Sequence, residues 1–263
     1  MIQGSLGGRG MIGAVLAATG RRRAPLIDRL PATGLLALWY AGDGSGPGSA
    51  LTTAGDGQPV SAWADAVASL SPAASGSQRP TYRQSVAAFN GRGAVEFAAA
   101  ASQHLSVNAP GGLVANRSTY GIFVVFATTA TAAGDLFGEF RSTSATPTVL
   151  ARYNNTGLRG LHRSDANVSA SIQSGGGFND SAAHVLAFQR TAANAFELFC
   201  DGVSLGATAT APGTTTVDRI EFGRFGGASP STYFTGQIAL IAAYSVNNRA
   251  AVEPLLFSDY GIG

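Results

Sequence analysis

Fifteen acidic residues, three histidines and one cysteine are the groups in this chain that could make or break bonds. Their spacing argues against it. Glycoside cleavage needs two carboxyl groups close together on one face. The chain has no Glu-x-Asp-x-x-Glu run, and Glu139, Glu197 and Glu221 each stand alone among apolar neighbours. His104, His162 and His184 have no cysteine or carboxylate at the short spacings that bind metals. His184 opens an apolar run and reads as a packing residue. Asp65, His184 and a serine would form a triad only if the fold gathered them, and nothing in the spacing does so. Cys200 is alone, which excludes an intrachain disulfide, and it reads as a small buried filler. The expectation is a protein that is not an enzyme and carries no cofactor.

Binding chemistry is better supplied. Apolar ring faces stack on the C–H surfaces of sugars when amides or acids stand beside them. Tyr153 with Asn154 and Asn155, and Phe178 with Asn179 and Asp180, have that form and lie next to turn residues. They are the candidate glycan-binding residues. Phe225 with Tyr233 is a weaker pair. Trp39 and Trp63 read as core. Asp43, Asp65, Asp165 and Asn167 offer oxygens for Ca²⁺, but no Asp-x-Asp-x-Asp cluster gathers the several ligands a hard cation takes. Turn formation is the plainer role for them.

These residues must be positioned by strands. Leu35–Tyr40, Tyr120–Ala127, Leu136–Phe140, Val149–Tyr153, Leu158–His162 and Val168–Ile172 are short apolar or alternating runs broken by Gly, Asn, Asp, Ser and Pro. Further runs start at His184, Phe196, Val203, Arg219 and Tyr233. Tyr120–Ala127 is almost wholly apolar and predicts a central strand. Asp201-Gly202 and Asn90-Gly91 predict tight turns with positive φ. Strands at this spacing, without a helical period, predict a sandwich of two antiparallel sheets. A helical period appears only around Asn248–Tyr260, where Pro254 predicts one or two short turns and no long helix.

Residues 1–34 differ. A Gly-rich start leads to Met11, Ile12, Val15 and Leu16, then to Arg21, Arg22 and Arg23. The charge follows the apolar run, the reverse of a signal peptide. The run is about half the length a membrane-spanning helix needs. We read an N-terminal arm over 1–34 that docks on another protein, followed by one β domain over 35–263. All 17 basic residues are arginine, and a net charge of +2 implies neither nucleic acid nor an acidic membrane as partner.

Taken in order, His184-Val185-Leu186-Ala187-Phe188, Cys200-Asp201-Gly202, Arg219–Gly223 and Phe234-Thr235-Gly236-Gln237-Ile238 resemble the C-terminal half of a laminin-G-like, concanavalin A-like domain. Leu36–Ala41 resembles its first strand. Trp63-Ala64-Asp65 resembles a W-x-D step. Asn90–Phe97 resembles its G-R-P-A-V-x-F strand. The resemblance covers roughly 35–263 and implies an all-β, concanavalin A-like jelly roll. Phe257–Ile262 resembles a tail that follows this domain in bacterial and phage sequences. The resemblance, together with the arm, implies a structural component of a bacteriophage or phage-like virion: a head decoration, tail or fibre protein. It would assemble as a homo-oligomer with other virion proteins and present a lectin-like domain to host-surface glycans. The alternative is a secreted bacterial carbohydrate-binding or adhesion module at the cell surface.

Overall fold

The structure is a computed structural model that describes residues 25–48, 51–155 and 157–263. The N-terminal segments are α1 (Leu26–Arg29), β1 (Leu35–Tyr40), β2 (Leu51–Thr52), β3 (Ala62–Trp63), β4 (Thr81–Val86) and β5 (Arg92–Phe97). There follow β6 (Leu105–Asn108), β7 (Tyr120–Ala127), β8 (Gly134–Phe140), β9 (Thr148–Asn154), β10 (Gly157–Arg163) and β11 (Ser169–Gln173). The chain ends with β12 (His184–Ala192), β13 (Ala195–Cys200), β14 (Val203–Thr208), β15 (Arg219–Phe222), β16 (Gly236–Tyr244) and α2 (Arg249–Tyr260).

The strands form the antiparallel sandwich that the punctuation predicts. One sheet runs β14-β13-β12-β7-β16-β5-β4. Strand β16 is long enough to serve two partners on one edge. Gly236–Ile238 pair with β5, and Leu240–Tyr244 pair with β1. The second sheet runs β11-β10-β9-β8-β15-β6. The Asp201-Gly202 turn has φ of +49° and +79° and closes β13 onto β14. Asn90-Gly91 also takes positive φ at both residues.

Between the sheets lies an aromatic core. Phe222 is wholly buried, with Trp39 at 4.8 Å, Trp63 at 5.9 Å and Phe137 at 6.0 Å between ring centroids. A second apolar layer covers the outer face of the larger sheet, which explains why β7 is apolar at every position. Ile122, Val124 and Phe126 point into the sandwich, and Phe123 and Val125 point out to α2. Helix α2 corrects the expectation of one or two turns, because it runs twelve residues through Pro254. Pro254 lies on the exposed side, where the bond it cannot make leaves a carbonyl in water. Val252, Leu256 and Tyr260 share the opposite face and are buried. Arg249 pairs with Glu253 at 2.6 Å, and Gly261 closes the helix in the left-handed region at φ +69°.

Residues 25–34, assigned by sequence to the arm, pack on the sandwich itself. Leu26 and Leu30 are buried in the second layer, and Arg29 pairs with the buried Asp259 of α2. The proposed docking residues Met11, Ile12, Val15, Leu16, Arg21, Arg22 and Arg23 lie outside the described residues.

Candidate functional site: the outer face of the six-stranded sheet

Helices cover the larger sheet, so the sheet face without a helical layer among the described residues belongs to β11-β10-β9-β8-β15-β6. Its side chains follow from period-two alternation. Val149, Ala151, Tyr153, Leu158, Ala170 and Ile172 enter the core. The residues between them face out, and the register sets them in rows. Asp135, Arg152, Arg159 and Gln173 are successive cross-strand partners. The next row is Ser106, Glu221, Gly138, Leu150, Leu161 and Ser171. The third is Arg219, Phe140, Thr148, Arg163 and Ser169. An apolar strip of Phe140, Leu150 and Leu161 is thus flanked on both sides by arginine, and Phe225 packs on it from the loop after β15. Gly138 makes the strip possible: a Cβ there would meet the Phe140 ring at 2.2 Å.

The face carries five arginines, Arg152, Arg159, Arg163, Arg219 and Arg224, against two carboxylates, Asp135 and Glu221. Asp135 is buried and held by both forks of Arg152. Burial pushes the Asp135 carboxyl up, against the pull of Arg152. Glu221 is buried between Arg224 and Arg219. At the rim Arg141 pairs with Asp165 at 3.0 Å. Arg159 donates to Ser171 Oγ at 3.1 Å and Arg163 to the Ala145 carbonyl, and among the described residues neither pairs with a carboxylate. Burial pulls the guanidinium pKa of both down, and the neighbouring arginines pull it further. Arg163 Nε is buried and has no acceptor among the described residues.

The sequence-predicted glycan residues lie at one end of this sheet. Tyr153 is corrected: its ring is fully buried in the core and its hydroxyl donates to the Ala130 carbonyl, so it offers no stacking face. Asn154 ends β9, and Asn155 sits exposed in the turn with φ +50°. The β9–β10 turn leans on the next loop, where Ser174 Oγ accepts from Leu158 N at 2.8 Å. That loop continues to Phe178, half-buried against the His184 ring at 5.5 Å, then to half-buried Asn179 and exposed Asp180. Asp180 is tied to the fold: its Oδ1 lies 3.1 Å from His184 Nε2 and accepts from Ala182 N.

His184 is more than a packing residue. Its Nδ1 lies 2.7 Å from Asp201 Oδ2, so it bridges two carboxylates and ties the 174–183 loop to the β13–β14 turn. Burial pulls its pKa down, but the hydrogen bonds and charge of Asp201 and Asp180 outweigh it and hold it above the ordinary value. The stabilisation is therefore complete below the unfolded value of about 6.5 and is lost as pH rises through the folded value. His184→Gln should lower Tm clearly at pH 5.5 and much less at pH 8.5. An equal loss at both would contradict a charged bridge. Cys200 completes a set with His184 and Asp201 whose ligand atoms lie within 4.8 Å of one another. Both ring nitrogens already face carboxylates, and burial drives the Cys200 thiol far up, against the thiolate a metal needs.

The other singled-out groups are held within their own surroundings. Asp43 accepts from Ser45, Asp65 from Val67, Ala68 and Leu70 backbone N–H, and Asp165 from Thr216. His162 is buried between Tyr120 Oη and Thr215 Oγ1, and burial pulls its pKa to about 3. Glu139 accepts from the backbone of Leu113, Val114 and Ala115; burial pushes it to about 7 against their pull. Sequence reasoning missed the arginine rows. No helix among the described residues is long and apolar enough to cross a membrane.

No protein-family model matches the chain, and no curated protein matches it. Solved structures of similar shape include the CBM40 of Ruminococcus gnavus IT-sialidase bound to alpha2,3 sialyllactose. It is 15% identical, covers 55% of this chain and 84% of its own, and has a TM-score of 0.47. The leech intramolecular trans-sialidase is 17% identical over 57% of this chain and 24% of its own, TM-score 0.46. The binding domain of Paraclostridial Mosquitocidal Protein 1 is 10% identical over 70% of this chain and 50% of its own, TM-score 0.48. Similarity at this level concerns the course of the chain and nothing finer.

Proposed function

We propose that this protein is a non-enzymatic glycan-binding module, a lectin-like β-sandwich of the laminin-G-like, concanavalin A-like kind. We propose further that it is a structural component of a bacteriophage or phage-like virion, exposed on the particle and assembled as a homo-oligomer. The observation that carries the glycan reading is the outer face of the six-stranded sheet, which no helix covers among the described residues. It places the half-exposed ring of Phe225, seated on the buried strip of Phe140, Leu150 and Leu161, near guanidinium, hydroxyl and amide groups, the pairing that sugar recognition uses. The non-enzymatic reading is supported by the state of that face's carboxylates: Asp135 and Glu221 are both tied to arginine, which leaves neither free as acid or nucleophile. A glycan array probed with the full chain tests the reading. Retention of a glycan class without cleavage is the expected result, and no retention overturns it.

The virion reading rests on the sequence of the arm. Removing residues 1–24 should leave the sandwich folded and abolish incorporation into particles. Removing 1–30 should also cost stability, because it strips Leu26 and Leu30 from the second layer, about 1.5–3 kcal/mol for each leucine. Mass in solution and incorporation of the 1–24 deletion are the measurements. Unchanged incorporation would reject the arm as the docking element and favour a secreted or cell-surface module.

A further inference from the structure

We infer that the outer face of the six-stranded sheet takes an acidic sugar, with a carboxylate or sulfate group held by Arg159 and Arg163 and the sugar ring resting against the half-exposed Phe225 and the exposed side chains of β11. This deepens the glycan reading above and rests on it.

The argument is one of charge and register. Arg152 and Arg159 are directly opposed across β9 and β10, an arrangement that like charges disfavour. Asp135 pairs with Arg152 and acts on Arg159 through its charge alone, and among the described residues no carboxylate pairs with Arg159 or Arg163. Arg159 and Arg163 are four residues apart on one face of β10, roughly 13 Å along the strand, and Leu161 lies between them. Arg159 leans on Ser171 Oγ and Arg163 on the Ala145 carbonyl, and each guanidinium keeps further N–H donors. A guanidinium presents a planar fork that fits a carboxylate or sulfate with two parallel bonds. An arriving anion would relieve the repulsion among Arg152, Arg159 and Arg163 that the fold tolerates here. Ser169, Ser171 and Gln173, all exposed on the neighbouring β11, supply donors and acceptors for ring hydroxyls.

The absence of lysine explains why these cations are arginines, but not why three of them share adjacent strands on one face. A nucleic acid fits the observations less well. The whole chain has a net charge of +2, and the face includes Asp135 and Glu221, which would repel a long polyanion. The arrangement suits a compact ligand with one acid group.

The test is an array of neutral, carboxylated and sulfated glycans, with single-stranded DNA spots, probed with the full chain at rising salt. The carboxylated and sulfated spots separate the two acid types. The expected result is retention of acidic glycans alone, weakening as salt screens the contact. Arg159→Gln and Arg163→Gln should each weaken retention about tenfold or more, the loss expected when a charge-assisted contact is removed. Arg159→Lys should recover only part of it, since the charge stays and the fork is lost. Arg83→Gln, exposed on the other sheet, should bind as wild type, and unchanged Tm would show that each variant is folded. Retention of neutral glycans, unaffected by the arginine variants, overturns the inference and leaves the glycan reading standing. DNA retained in preference to every glycan, or no retention at all, overturns both.

Discussion

Phe222→Ala should cost about 3–5 kcal/mol of stability, in the range of buried aromatic truncations. The Phe222 ring sits among three others of the core. Phe222 is wholly buried on β15, meets Trp39 and Trp63 edge-on, and lies against Phe137. The four rings come from β1, β3, β8 and β15, so they join both sheets and the small β2–β3 hairpin. Removal leaves a cavity that two indoles held in strands cannot collapse to fill. Chemical denaturation with a fluorescence readout should show a lower midpoint and altered tryptophan emission together. A loss under 1 kcal/mol would mean that the sheets are held mainly elsewhere.

Asp259→Ala should cost a similar amount, about 3–5 kcal/mol, because it strands charge at a buried site. The Asp259 side chain is 1% exposed and pairs with Arg29 and with Arg92 at 3.1 Å. Arg92 also donates to the Asp259 carbonyl at 2.9 Å and to the Tyr40 hydroxyl at 3.1 Å. One carboxylate thus joins α1, β5 and α2. Arg29→Ala should cost less, since its side chain is 21% exposed and solvent can replace part of the lost contact. If the two single variants lose equal stability and the double variant loses their sum, the pair is not coupled and the central role given to Asp259 is wrong.

Much of this architecture was legible in the chain, for reasons that particular residues make plain. Tyr120–Ala127 and Leu35–Tyr40 are strands over the predicted spans. Asp201-Gly202 closes its hairpin because both residues tolerate positive φ. Other features depended on tertiary contacts that local sequence does not report. Pro254 argues against a helix by local rules, yet α2 is held by burial of Val252, Leu256 and Tyr260 on a sheet face that periodicity alone does not reveal. Leu26 and Leu30 look like part of the arm until that same face is seen. Tyr153 was judged by its Asn154-Asn155 neighbours, although alternation with Val149 and Ala151 already placed it inside.

The arginine rows were the signal closest to hand. Alternation along Leu158–Arg163 puts Arg159, Leu161 and Arg163 on one face. The tight turn after Asn154 then fixes Arg152 opposite Arg159, since Asn154 pairs with Gly157. The His184 bridge was not legible in the same way. Asp180 is near it in sequence, but Asp201 arrives across a hairpin.

The most direct test of the account is a backbone NMR footprint of the full chain with an acidic glycan retained on the array. The account predicts shifts concentrated at Arg152, Arg159, Leu161, Arg163, Ser171, Gln173 and Phe225. Saturable shifts at Phe178–Asp180, or on the helix-covered face, with the arginine rows silent would contradict it.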